Sequence, residues 1–305
     1  MSSIDTMIFP ATIVPPLTPF TANGKVDYDL LKGIVDYVVE DCAATMVIAA
    51  GVEAQEYQFL PMDERRELIA KTIELTAGRR PVVVGITHPS FSVALELAEF
   101  ATAQGGSALQ LLAPQRPTGG AASTAELVAY FEAVTQRISL PMMLYLNAGP
   151  GADVSLPATI EMSRLDGIAY VKESSRDMSR VGRLIAEIEH AGHARYFTTM
   201  QMLLPTLMLG GTGCTLPPPA AKVAMAIIEA FKAKEFEEAA RLQRQFSVFP
   251  HKWMGHGLAA VMKAALTELG VPAGDPYPPY QPLGGADLQS LKTYLATTDL
   301  NPKDR

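Results

Sequence analysis

The chain has 305 residues, 48% hydrophobic and 19% charged, with a net charge of -7 and an isoelectric point near 5.3. That composition excludes a disordered chain and allows one large core; the acidic balance and the lack of any Lys/Arg cluster argue against nucleic acid or an anionic membrane as partner. Cys42 and Cys214 lie outside any Cys-x-x-Cys pair and the five histidines have no His-Glu-x-x-His spacing, so neither a disulfide framework nor a metal centre is expected.

Met1 to Pro10 lacks the basic start and apolar run of a signal peptide, and no segment reaches the roughly 18 apolar residues of a membrane span. A cytoplasmic location is expected. Short apolar runs then alternate with amphipathic stretches. Ile13 to Leu17 is the first predicted strand, followed by the Asn23-Gly24 turn and a helix that Asp27 can cap, with Leu30, Leu31, Ile34, Val35 and Val38 along one stripe. Met46 to Ala50 is the second. Pro61 opens the next helix, with Asp63 and Glu64 in its first turn, and Gly78 closes it.

Val82 to Gly85 is the third strand, and its helix runs from about Ser92 to Gln104 before Gly105-Gly106. Leu109 to Leu112 is the fourth; a Pro/Gly-rich loop leads to Ser123-x-x-Glu126, the spacing of a capping box. Met142 to Tyr145, Ile168 to Lys172, Tyr196 to Thr198 and Cys214 to Leu216 are the fifth to eighth, the last stopped by Pro217-Pro218-Pro219. Eight strand-then-helix units predict an α/β chain folded as a (β/α)8 TIM barrel. An open doubly wound sheet is disfavoured because no Gly-x-Gly-x-x-Gly turn follows the first strand. The chain beyond Lys222 reads as helical, which predicts a barrel over 1–222 and a C-terminal helical bundle over 223–305 packed on it.

Working groups in such a barrel lie at the C-terminal ends of strands. Lys172 ends the sixth strand after an otherwise apolar run. Either it sits past the strand end and reaches water, or it is a partly desolvated amine able to attack carbonyl carbon. Tyr145 ends the fifth strand, where its phenol could move protons beside that amine. The Gly51-Val52-Glu53-Ala54-Gln55-Glu56 loop follows the second strand, and Thr215 lies in the eighth. Glu53 reads either as a solvated loop carboxylate or as a general base, and Thr215 either binds substrate or satisfies a strand end.

From Thr18-Pro19-Phe20 through Leu60, Glu64, Gly85, Tyr145, Gly167 to Glu173 and Leu209-Gly210-Gly211-x-Gly213 to Tyr277-Pro278-Pro279, the chain resembles the dihydrodipicolinate synthase and N-acetylneuraminate lyase family of Schiff-base-forming aldolases and dehydratases. The resemblance implies a cofactor-free lyase acting on a 2-oxo acid such as pyruvate, with Lys172 forming the imine and Tyr145 relaying protons. It also implies a homo-oligomer, dimer or tetramer. It puts Val52, Glu53 and Ala54 where the family's Gly-Thr-Thr-Gly-Glu loop holds the carboxylate; both threonines are replaced, and Glu53 adds a negative charge. The arginine that follows the strand-five tyrosine in the synthases is also absent, Leu146-Asn147-Ala148-Gly149-Pro150 standing there, and Pro114-Gln115-Arg116-Pro117 stands where a second tyrosine is expected. These departures predict a substrate other than that of true dihydrodipicolinate synthesis. They also leave open a barrel that keeps the lysine as a small-molecule binding or regulatory protein.

Overall fold

The computed structural model describes residues 10–53, 56–116, 118–149 and 151–301. Eight parallel strands close into a barrel in chain order: β1 (Ala11–Val14), β2 (Met46–Ala49), β3 (Val82–Gly85), β4 (Ala108–Leu112), β5 (Met142–Leu146), β6 (Ile168–Glu173), β7 (Arg195–Thr198) and β8 (Gly213–Thr215). Strands buried on both faces read as continuous apolar runs, and Val-Val-Val-Gly in β3 and Met-Met-Leu-Tyr-Leu in β5 are such runs. The expected strands recur with end shifts. β1 stops at Val14 rather than Leu17 because Pro15 and Pro16 cannot continue a ladder.

The helices are α1 (Tyr28–Asp36), α2 (Met62–Thr76), α3 (Phe91–Ala103), α4 (Thr124–Thr135), α5 (Leu156–Ser163), α6 (Met178–Leu184), α7 (Leu203–Met208) and α8 (Pro218–Lys232), then α9 (Phe236–Gln243), α10 (Leu258–Glu268) and α11 (Gly285–Ala296). Asp27 caps α1 by accepting from the Leu30 N–H. The three prolines read as a strand stop also begin a helix: Pro217 is the N-cap of α8, and Pro218 and Pro219 fill its first turn, where a missing N–H costs nothing. Residue 222, the expected division between barrel and extension, lies inside α8. No helix among the described residues is long and apolar enough to cross a membrane.

The chain groups into two compact units. The first holds β3 to β8 with α3 to α7, together with Ala11. In it the Ala11 N–H donates to the Thr212 carbonyl at 3.0 Å. A Cβ at Gly213 would lie 1.9 Å from the Ala11 carbonyl oxygen, so only glycine allows the backbones to approach this closely. The second unit holds Thr12–Arg80 and Leu216–Arg305. There α9 and α10 pack on α8, and α11 on α10.

The Ser123 and Glu126 capping box is formed in full at the start of α4. The Ser123 N–H, then Arg116, hold the Glu126 carboxyl down to about 2, so Arg116 is engaged with Glu126 at this exposed helix start. Ser123→Ala is expected to lower unfolding stability by about 1 kcal/mol, read as a small fall in the thermal midpoint with the far-ultraviolet spectrum unchanged.

Candidate active site

β5 and β6 place the two predicted catalytic side chains side by side. β6 carries an irregularity where Met142 pairs with Ile168 but Met143 with Tyr170, leaving Ala169 as an extra residue. From there the register is regular, and Tyr145 pairs with Lys172. Paired residues on neighbouring strands share a face, so phenol and amine meet. The Lys172 Nζ lies 3.2 Å from the Tyr145 hydroxyl and 4.5 Å from its ring centroid. Both residues are 2% exposed, so the amine does not sit past the strand end in water.

A third group joins them. The Lys172 Nζ donates to the Ser174 Oγ at 2.6 Å. Ser174 was not singled out in the sequence, although it stands two residues after Lys172 and strand alternation brings side chains of that spacing to one side. The Lys172 charge also reaches Cys214 of β8: burial pushes the Cys214 thiol well up, and the ammonium pulls it partly back.

The neighbouring residue is anchored differently. Glu173 is buried, and its carboxylate accepts from Arg180 at 3.0 Å, from the Ser175 N–H at 3.0 Å and from the Tyr196 hydroxyl at 3.2 Å. Burial first, and then Glu173, push the Tyr196 phenol well above its ordinary value. Arg180 in turn donates to the Val154 carbonyl and the Thr159 Oγ1. β6 is thus tied to α5, α6 and β7 one residue beyond the amine.

The other predicted residues take separate places. Thr215 ends β8 at 2% exposure, and its Oγ1 makes no hydrogen bond to the described residues. Val52 is buried in the turn after β2; Glu53 is half-buried, with a carboxylate oxygen 3.0 Å from where a Gly51 Cβ would stand. Ala54 lies outside the described residues. In that second unit Glu56 is buried and pairs with Lys263 of α10, with Nζ 2.9 Å from Oε2. Lys263 also donates to the Asp275 carbonyl, and Glu56 accepts from the Tyr277 N–H. Burial pushes the carboxyl up and the amine down, and their mutual attraction opposes both shifts.

Among the described residues no group of three His, Cys, Asp or Glu side chains is placed to hold a metal ion. The chemistry available at β5 and β6 is that of a buried amine between two hydroxyls.

Against known proteins, the profile of the Dihydrodipicolinate synthetase family matches residues 9–298. The chain belongs to this family. Its members are lyases of the class I aldolase type. Within the dihydrodipicolinate synthetase family, the 4-hydroxy-tetrahydrodipicolinate synthase of Moorella thermoacetica is 29% identical over 286 residues, covering 92% of this chain and 94% of its own. That of Exiguobacterium sibiricum is 28% identical over 262 residues, covering 85% and 87%. Among solved structures, the Escherichia coli K12 family member YagE, in complex with pyruvate, superposes with a TM-score of 0.85 at 22% identity, covering 95% and 98%. N-acetylneuraminate lyase of Mycoplasma synoviae gives a TM-score of 0.80 at 22% identity, covering 97% and 98%. At those identities the two structures speak to the fold.

Proposed function

We propose that the protein is an imine-forming lyase of a 2-oxo acid, with Lys172 as nucleophile and Tyr145 as proton carrier. The observation that carries the reading is the 3.2 Å contact between Lys172 Nζ and the Tyr145 hydroxyl, both buried. Two lysines are buried among the described residues, Lys172 and Lys263. Lys263 faces the Glu56 carboxylate, which favours the unreactive ammonium. Lys172 meets the hydroxyls of Tyr145 and Ser174, which add no full negative charge.

The amine attacks the C-2 ketone carbon, and the ketone oxygen leaves as water after two proton transfers. The phenol at 3.2 Å is positioned to deliver one of them and Ser174 to pass another. The resulting iminium draws electrons from C-3, so either the C-3–C-4 bond breaks with its electron pair held as an enamine, or a C-3 proton is removed to give the enamine, which then expels a C-4 hydroxyl that leaves as water on protonation. Pyruvate, bound in the E. coli relative, is the simplest candidate; the family lyases named for dihydrodipicolinate precursors and N-acetylneuraminate support the same class. The lack of an arginine in Leu146-Asn147-Ala148-Gly149-Pro150 after Tyr145 favours a substrate other than aspartate semialdehyde as second partner.

The test is borohydride reduction in the presence of pyruvate and longer 2-oxo acids, followed by intact mass and peptide mapping. An adduct on Lys172 is expected with at least one acid, and no condensation with aspartate semialdehyde. If the whole series leaves the mass unchanged, the chain is a barrel that keeps the lysine without the reaction. Tyr145→Phe keeps the ring and removes the hydroxyl; it is expected to slow turnover by about 10²-fold to 10⁴-fold while an adduct still forms on long incubation. Turnover within twofold of wild type removes the phenol from the mechanism.

A further inference from the structure

A cavity of about 340 Å³ is lined by the segments that follow β5 and β6, among them Leu146, Asn147 and Val154 from the first and Ser174, Ser175 and Arg176 from the second. Ser174 joins it to the reacting centre. Its hydroxyl accepts from Lys172 at 2.6 Å, and its carbonyl accepts from the Arg176 guanidinium at 3.4 Å.

The charges in the cavity wall are unequally committed. Arg180 is neutralised by Glu173 at 3.0 Å and holds the Val154 carbonyl as well. Arg176 meets no carboxylate within ion-pairing distance among the described residues; its contacts are two neutral oxygens, the Ser174 carbonyl and the Gln201 Oε1, at 3.4 and 3.3 Å. Such long, neutral bonds are readily exchanged for the shorter charge-assisted pair that a carboxylate offers. Arg176 is exposed at the rim of the cavity; burial of part of its surroundings lowers the guanidinium from its ordinary value, with Glu173 and Tyr145 opposing, which places it within electrostatic reach of the Tyr145 phenol. Asp153, the other acid of the wall, meets no cation within ion-pairing distance among the described residues; like Arg176 it is exposed, so solvent screens both charges.

We propose that this cavity receives the far carboxylate of a 2-oxo dicarboxylate whose ketone reacts at Lys172, and that Arg176 determines that specificity. The proposal rests on the imine reading above. Ser174 touches the amine through its hydroxyl and the guanidinium through its carbonyl, so a short carbon chain between ketone and terminal carboxylate is expected. The Asn147 amide and the Ser175 hydroxyl line the same cavity and supply neutral donors beside the guanidinium.

The experiment compares half-saturating concentrations for borohydride trapping of the full chain by acids matched in length: 2-oxoglutarate against 2-oxopentanoate, and 2-oxoadipate against 2-oxohexanoate. Wild type is expected to favour a diacid over its matched monoacid by about 10-fold to 100-fold, the scale of a hydrogen-bonded charge. Arg176→Gln is expected to collapse that ratio, and Arg176→Lys to restore part of it. A wild-type ratio near one, a preference for a neutral hydroxylated tail, or a ratio that survives in Arg176→Gln overturns the proposal. If monoacids trap on Lys172 and diacids do not, the imine reading stands and this one falls. If no acid traps, both fall.

Discussion

Lys172→Ala is expected to abolish borohydride trapping of every 2-oxo acid and to lower turnover by roughly 10⁴-fold or more, the scale of losing a covalent nucleophile. The loss follows from position. No neighbouring amine can substitute: the other lysine buried among the described residues, Lys263, is held by Glu56 in the second unit. The fold is expected to survive, because truncation removes a buried charge along with its packing, and Tyr145 and Ser174 keep hydroxyls that can rotate toward one another or toward water. Circular dichroism and the thermal midpoint check that half of the expectation. A folded Lys172→Ala protein that still gains mass on reduction would place the imine on another lysine.

The second large effect concerns stability. Lys263→Met is expected to cost about 3–5 kcal/mol, because it strands Glu56 as a buried carboxylate without its cation. The side chains of the pair are 1% and 2% exposed, so solvent screening offers no relief. Glu56 would keep the Tyr277 N–H but not enough to compensate. The companion variant Glu56→Gln with Lys263→Met removes both charges and is expected to recover much of the loss. Urea denaturation of the single and double variants measures both. A single-variant loss under about 1 kcal/mol, the size of an exposed pair, would mean that the ion pair is hydrated in solution.

These two residues show what a sequence discloses and what it withholds. The place of Lys172 beside Tyr145 was legible because each ends a short apolar strand and the two strands are neighbours in the barrel. The capping box at Ser123 and Glu126 and the Asp27 cap were legible because their partners lie three residues away. Lys263 and Glu56 are separated by 207 positions, and no periodicity records such a pairing; in sequence Lys263 is an ordinary lysine within an apolar helix. Ser174 fell between: alternation along β6 puts it on the side of Lys172, but the strand runs out at Glu173 and the eye stops there. Arg176, beyond the strand, has no sequence signal at all, since its meaning comes from what surrounds it in space. The prolines after β8 were read as an ending when they are also a beginning, because proline both terminates ladders and suits the first turn of a helix.

β6 keeps its two tasks on successive residues, with the amine at 172 and the buried anchor at 173. One consequence concerns how this site can change. Substrate preference can drift through the segments after β5 and β6, whose residues line the cavity without holding the strand. The position of the amine itself is set from outside the lumen, through Arg180, Tyr196 and the helices behind them. If Lys172 is the nucleophile proposed above, a substitution at Thr159 or Tyr196 is expected to reach the reaction as a displacement that misaims it. On that proposal the barrel has two separate dials, one for which molecule enters and one for how well the lysine is aligned.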